Sequence, residues 1–311
     1  MIRYSIYPIS LIFLFLAINT ACTNQGNENE LVDFSEQHDS SHDRINNKSQ
    51  DVYIAIASMT SPKETINYYH DLIDYISAKV GYPIYIKQKK TYEEVNSLIE
   101  NDEVDFAFIC SGAFAEQYKK RKVKLLVAPQ INNKVSYNAY IITHKKSGVT
   151  KFVDFDNKSF AFTDPLSNTG RLYPLRKVKQ LKKNESDFFL KTIYTYGHDI
   201  SIQMVNREII DGASVHGLIY EYLALNNPKR VENISVIEKS EEFGMPPVVT
   251  PSSLDNEVYK RYQEVFLNIH KDSLGREILA RLNIDKFVIV EDKIYNSVFE
   301  LKEYTDHVVA E

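Results

Sequence analysis

From residue 51 onward, short apolar runs and amphipathic stretches take turns, and this alternation restricts the fold more than any other feature of the chain. Residues 52–58 form an apolar run of strand length. Residues 63–80 place Ile66, Tyr69, Leu72, Ile73 and Ile76 at the spacing of one helix face. Residues 82–88 alternate like a strand, 92–101 read as a helix, and 104–109 as a strand feeding Ser111-Gly112-Ala113 and a helix over 114–121. A second series holds a strand at 160–162, a helix at 172–181, a strand at 191–196, a helix at 200–207 and a strand-like run at 212–215. After 235–238 the chain closes on helices at 256–270, 275–282 and 295–304. Alternation of this kind predicts an α/β fold with mostly parallel sheet covered by helices. Two lobes are the simplest arrangement, joined by chain crossings near 137–143 and 238–246. Residues 51–140 and 245–311 then form one lobe and 141–244 the other, with the C-terminal helices returning to the first.

A chain of 311 residues is long enough for two lobes with cores of their own. A formal net charge of −5 offers neither a basic groove for nucleic acid nor a basic membrane face. Trp is absent and Tyr occurs 21 times, so aromatic contacts to a ligand would come with a hydroxyl attached.

The N-terminus reads as an export signal. Arg3 precedes the apolar run 9–18, which is short for a membrane span, and Thr20-Ala21 lead to Cys22. A small residue directly before Cys resembles the bacterial lipoprotein cleavage box, which implies lipidation of Cys22. Asn19 stands where that box usually has Leu, and cleavage without lipid is the alternative. Residues 1–22 are thus read as a lipoprotein signal peptide. Residues 23–50 are polar with almost no apolar content and read as a disordered tether. His38 and His42 in that tether lack the further ligands a metal site needs, so no metal or other cofactor is expected. With Cys22 acylated, Cys110 has no disulfide partner within the chain and reads as a small buried filler.

Ligands of open α/β sheets bind at the carboxyl ends of strands. Three strand-to-helix joints carry small polar residues there: Met59-Thr60-Ser61-Pro62, Cys110-Ser111-Gly112 and Leu166-Ser167-Asn168-Thr169-Gly170. Hydroxyls and free backbone N–H groups at a helix start form an anion site. Gly170 would let the backbone approach a ligand closely. Taken singly, each joint also reads as an ordinary helix cap. Two fall in one expected lobe and one in the other, so they can face each other across a cleft.

Together these residues resemble the phosphate/phosphite/phosphonate-binding proteins of bacterial ABC importers, over about residues 52–298. The most specific piece is Asp164-Pro165-Leu166-Ser167-Asn168-Thr169-Gly170, close to that family's Asp-Pro-x-Ser-Thr-Ser-Gly turn. Weaker matches are Val104-Asp105-Phe106-Ala107-Phe108, Gly197-His198-Asp199, Ile210-Asp211-Gly212-Ala213 and Gly275-Arg276-Glu277-Ile278-Leu279. The resemblance implies the two-lobed periplasmic binding-protein fold of type II. It also implies that Ser167, Asn168, Thr169 and Gly170 hold phosphorus-bound oxygens, that His198 donates to the same group, and that Tyr137 closes over it. Ser111 and Thr60, at the other two joints, complete the candidate set.

Members that take aminoalkyl phosphonates pair the ammonium with carboxylates in two stretches that here read Val215-His216-Gly217-Leu218 and Gly244-Met245-Pro246. An unpaired buried ammonium is costly, which argues against such a ligand. Asn168 also replaces a usual Thr, and Ile109 stands where some members place an aromatic.

The expected function is a lipid-anchored, extracytoplasmic solute receptor that is not an enzyme. It would bind phosphonate, phosphite or phosphate and hand it to an ABC permease. The rival is a receptor of the same fold serving a sensor kinase, or one binding a ligand without phosphorus. Gly-x-Ser-x-Gly, His-Glu-x-x-His and Walker motifs are all missing from the sequence.

Overall fold

The computed structural model describes residues 51–307. The expected signal peptide and tether, residues 1–50, lie outside the described residues. The chain opens with β1 (Val52–Ile56), α1 (Pro62–Val80), β2 (Ile84–Gln88), α2 (Tyr92–Glu100), β3 (Phe106–Phe108) and α3 (Ser111–Lys119). Next come β4 (Val123–Gln130), the two-residue β5 (Ser136–Tyr137), β6 (Ala139–His144) and β7 (Ser159–Phe162). They are followed by α4 (Tyr173–Gln180), the single turn α5 (Glu185–Phe188), β8 (Lys191–Tyr194), α6 (His198–Asn206), β9 (Gly212–His216), α7 (Gly217–Asn226) and β10 (Ile234–Lys239). β11 (Phe243–Gly244), β12 (Val248–Pro251), α8 (Asn256–Asn268), α9 (Ser273–Arg281), β13 (Lys286–Val288) and α10 (Asn296–His307) complete it.

Two sheets organise these elements. One runs β13-β4-β12-β3-β1-β2 and the other β10-β6-β9-β7-β8. The two chain crossings pair with each other as a short antiparallel ribbon, Tyr137 opposite Phe243 and Ser136 opposite Gly244. The expectation of mostly parallel sheet is corrected. β1 runs parallel to β2 and β3, and β7 to β8 and β9. The pairings of β12 and β13 in the first sheet, and of β6 and β10 in the second, are antiparallel. The cause is connectivity: a chain that leaves a sheet, builds a second one and returns re-enters against the earlier strands.

Local sequence fixes the element ends. Pro62 opens α1, where its missing N–H is no loss, and Gly81 ends it at φ 79°. Thr91 and Glu94 form a reciprocal capping box at α2. α3 begins at Ser111 with Cys110 as its cap residue, three positions before the expected start at 114. The helix expected over 172–181 is preceded by a π turn, Asn168–Leu172, in which the N–H of Leu172 donates to Ser167 O at 3.0 Å. Such widened turns concentrate at functional sites.

Both sheets are apolar on both faces. Phe106 and Phe266 meet edge to face at 5.5 Å in the first lobe, while Phe160 stacks on Phe189 at 4.6 Å in the second. Truncating one such fully buried ring to Ala costs about 3–5 kcal/mol. One core cluster runs through both lobes and includes Tyr92, Phe114, Tyr137, Phe162 and Phe243. α10 does not return to the first lobe alone. Its Lys302 pairs with Glu116 of α3, and Lys179 of α4 donates to Thr305 O.

Candidate ligand-binding site in the inter-lobe cleft

Five strands end at the cleft: β1, β3, β7, β8 and β9. The helix starts that follow them bring N–H groups and positive dipole ends toward one place. The lobes touch directly there. A Cβ on Gly112 would lie 2.2 Å from Leu166 O and 2.8 Å from Asn168 N, so only glycine lets the start of α3 reach the turn after β7. Asp164 accepts from the N–H of Leu166 in its own turn at 2.8 Å and from the N–H of Tyr92 in the other lobe at 3.0 Å. Burial pushes its carboxyl up, and those two N–H groups pull the other way.

The Tyr137 hydroxyl is central to the resulting nest. It lies 2.7 Å from Ser111 Oγ and accepts from Asn168 Nδ2 at 3.3 Å. Burial raises its pKa far above the usual phenol value, so it stays protonated. Ser167, Asn168 and Thr169 are fully buried, as are Ser111 and His198. Ser167 Oγ accepts from the N–H of Gly170 at 3.0 Å and so spends its acceptor on the helix cap. The N–H of Gly170 is engaged in that cap, and a Cβ there would lie 2.4 Å from Thr163 Oγ1, so packing against the residue after β7 also calls for glycine.

His198 follows a strained position, Tyr196 at φ 57°, with Lys90 4.7 Å above the Tyr196 ring centre. The His198 Nδ1 accepts from the N–H of His216 at 3.2 Å and lies 3.0 Å from Thr163 Oγ1. An accepting Nδ1 carries no proton, so in a neutral ring the proton is on Nε2. Desolvation holds this imidazole neutral, its pKa well below the ordinary value, and the nearby His216 adds to the effect. Nε2–H is therefore a fully buried donor with no protein acceptor. Thr169 Oγ1, Asn168 Oδ1, Tyr92 Oη and His216 Nδ1 are likewise without partners. Each such atom costs about 1–3 kcal/mol when left unpaired. Here they gather in one cluster.

Among the candidate residues, Ser111, Tyr137, Asn168, Thr169 and His198 come together in or against this nest, and Ser167 caps its turn. Thr60 does not join them. Its hydroxyl pairs with Thr65 Oγ1 at 3.0 Å, and it lines an adjoining pocket instead. Three nest residues escaped the sequence reading. Tyr92 sits behind a capping box that accounts for its surroundings. His216 ends a strand, its ring 4.1 Å from that of Tyr137. Cys110 is buried, as a filler would be, yet its thiol faces the N–H groups of Asn168, Gly112 and Ala113, and burial pushes its pKa up. Among the described residues no group of three or more His, Cys, Asp or Glu is placed to hold a metal.

Two α/β lobes on a paired double crossing, with helix starts of both lobes meeting at one buried polar nest, define a periplasmic binding protein of type II. The family profile for the periplasmic phosphonate substrate-binding protein of ABC transporters matches residues 54–295. The chain belongs to that family. It is 27% identical over 151 residues to a probable ABC transporter phosphite-binding protein, PhnD1, of Prochlorococcus marinus. That match takes in 47% of this chain and spans about half (51%) of the relative's length. Among solved structures, a binding-protein component of a Pseudomonas aeruginosa ABC phosphonate transporter superposes with a TM-score of 0.77 at 20% identity, covering 83% of this chain and 88% of that one. The Prochlorococcus PhnD1 in complex with methylphosphonate gives 0.74 at 16% identity, covering 83% and 99%.

Proposed function

We propose that this chain is the extracytoplasmic receptor of an ABC importer and that its nest takes a small phosphorus oxyanion: phosphonate, phosphite or phosphate. One observation carries the reading. The buried Nε2–H of His198 and the Thr169 hydroxyl share the nest with several helix starts, while the nearby Asp164 carboxylate is spent on the N–H groups of Leu166 and Tyr92. Neutral donors plus helix dipoles suit an anion. Asn168 and the Tyr137–Ser111 pair complete the shell, and Tyr92 closes it from the other lobe. The ligand bridges the lobes by hinge closure. It is carried and not transformed: the imidazole of His198 is tied at Nδ1 by the His216 N–H and the Thr163 hydroxyl. The permease receives the closed form. Lipid on Cys22 holds the receptor at the membrane. In the described residues no helix is long and apolar enough to cross one.

The test is calorimetry of the purified protein with orthophosphate, phosphite and methylphosphonate, and sulfate as control. Replacing Ser167 and Thr169 together by Ala removes two hydrogen bonds to a charged group, each worth about 1.5–3 kcal/mol. Affinity for the tightest phosphorus ligand is expected to fall at least about tenfold while circular dichroism stays unchanged. Unaltered affinity in the folded double variant refutes the assignment.

A further inference from the structure

Beside the nest lies a second space of a different character, a pocket of about 150 Å³ reached from both lobes. Its walls are mostly hydrocarbon and include Met59, Tyr69, Ile109, Leu218, Met245 and Phe287. Several of the polar groups that touch it are engaged elsewhere or neutral. Thr60 is paired with Thr65. The Asp199 carboxylate accepts from the N–H of Ser61 at 2.8 Å and pairs with Arg230 at 3.4 Å, which also holds Glu64 at 3.1 Å. Arg281 is half exposed and pairs with Asp71. His216, whose pKa burial lowers to about 3, contributes an uncharged ring. That ring also stacks on Tyr137 of the nest, so the two spaces share a wall.

We infer that this pocket receives an uncharged hydrocarbon substituent on the phosphorus, so that the ligand class is an alkyl or aryl phosphonate of about four to six carbons. The inference rests on the phosphorus-oxyanion reading above. A mostly apolar space of this volume has room for a benzene-sized group. An inorganic oxyanion would leave the pocket unused. An ammonium would enter a space whose one carboxylate, Asp199, already has its oxygens engaged by the Ser61 N–H and Arg230, and burying it there without a hydrogen-bonded counter-charge of its own is unfavourable. Met59 and Met245 supply unbranched, polarizable walls that adapt to chains of different shape.

The experiment titrates the full-length protein with orthophosphate and with methyl-, ethyl-, n-butyl-, phenyl- and 2-aminoethylphosphonate. Each buried methylene is expected to tighten binding about three- to fourfold. n-Butylphosphonate should then bind at least about tenfold tighter than methylphosphonate, and the aminoethyl compound more weakly than its ethyl counterpart. Methylphosphonate binding with a flat or falling alkyl series overturns this inference and leaves the anion site standing. Binding of no phosphorus compound overturns the reading beneath it as well. Leu218→Asp sets a carboxylate on the pocket wall in the first turn of α7, where the helix dipole tolerates it. The butyl-to-methyl ratio in that variant should fall toward one. A ratio kept at the wild-type value places the chain elsewhere and refutes the proposal.

Discussion

His216 shows what the cleft asks of a single side chain. Burial holds its pKa at about 3 against 6.5 in the open chain, and His198 is shifted in the same direction. Both rings are neutral in the folded protein where the unfolded chain takes up protons. Stability linked to them is therefore complete above about pH 6.5 and is lost as pH falls toward the folded value. Each histidine contributes a slope of up to about 1.4 kcal/mol per pH unit inside that window. Urea denaturation of His216→Gln between pH 7 and 4 should show an acid limb less steep than wild type by one such share. An identical slope would mean that His216 is protonated in the folded state. Ligand affinity, by contrast, should carry no step near 6.5 from the protein side, because the donor at His198 Nε2 is the neutral form. At this scale the sequence was informative where a residue type has one use: hydroxyls and an amide at a helix start. It was silent on Tyr92 and His216, whose proximity to the nest depends on which strand ends the fold brings together.

Between elements, the closest approach is that of α3 to the turn after β7, and Gly112 governs it. Helix propensity favours Ala over Gly by about 1 kcal/mol, so Gly112→Ala suits α3 taken alone. The added carbon meets a backbone carbonyl 2.2 Å away in the other lobe, and a carbonyl held in a capped turn has little room to yield. The variant is expected to keep its far-UV circular dichroism yet bind its phosphorus ligand at least about tenfold more weakly. Wild-type affinity would show that the lobes need not come this near. Element identity was well legible along the chain, since periods of two and 3.6 residues and the Pro62, Gly81 and Thr91–Glu94 signals are local. Strand direction was not. β4, β12 and β13 owe their antiparallel pairing to where the chain re-enters the sheet, which no local pattern records. The π turn at Asn168–Leu172 was equally hidden, because it follows from Ser167 capping and the packing of Gly170 on Thr163.

At the scale of the whole molecule, the proposed lipid tether and the cleft can be tested apart. Cys22→Ser should abolish labelling by a fatty-acid probe and release the receptor from membranes, with ligand affinity intact. Persistent labelling of that variant, or none in wild type, would mean that Asn19 marks a chain secreted without lipid. The two lobes also hold each other through direct protein–protein bonds. The N–H of Tyr92 donates to Asp164, the N–H of His198 to Met59 O, and Arg230 spans Glu64 and Asp199. Each of these favours the shut form whether or not cargo is aboard. They raise apparent affinity by enlarging the competent fraction of empty receptors. On the proposed hinge-closure reading, they enlarge by the same amount the population of empty receptors that present the shut form to the permease. The strength of this latch would then set sensitivity and unproductive docking together, and the receptor could not sharpen one through these contacts without coarsening the other.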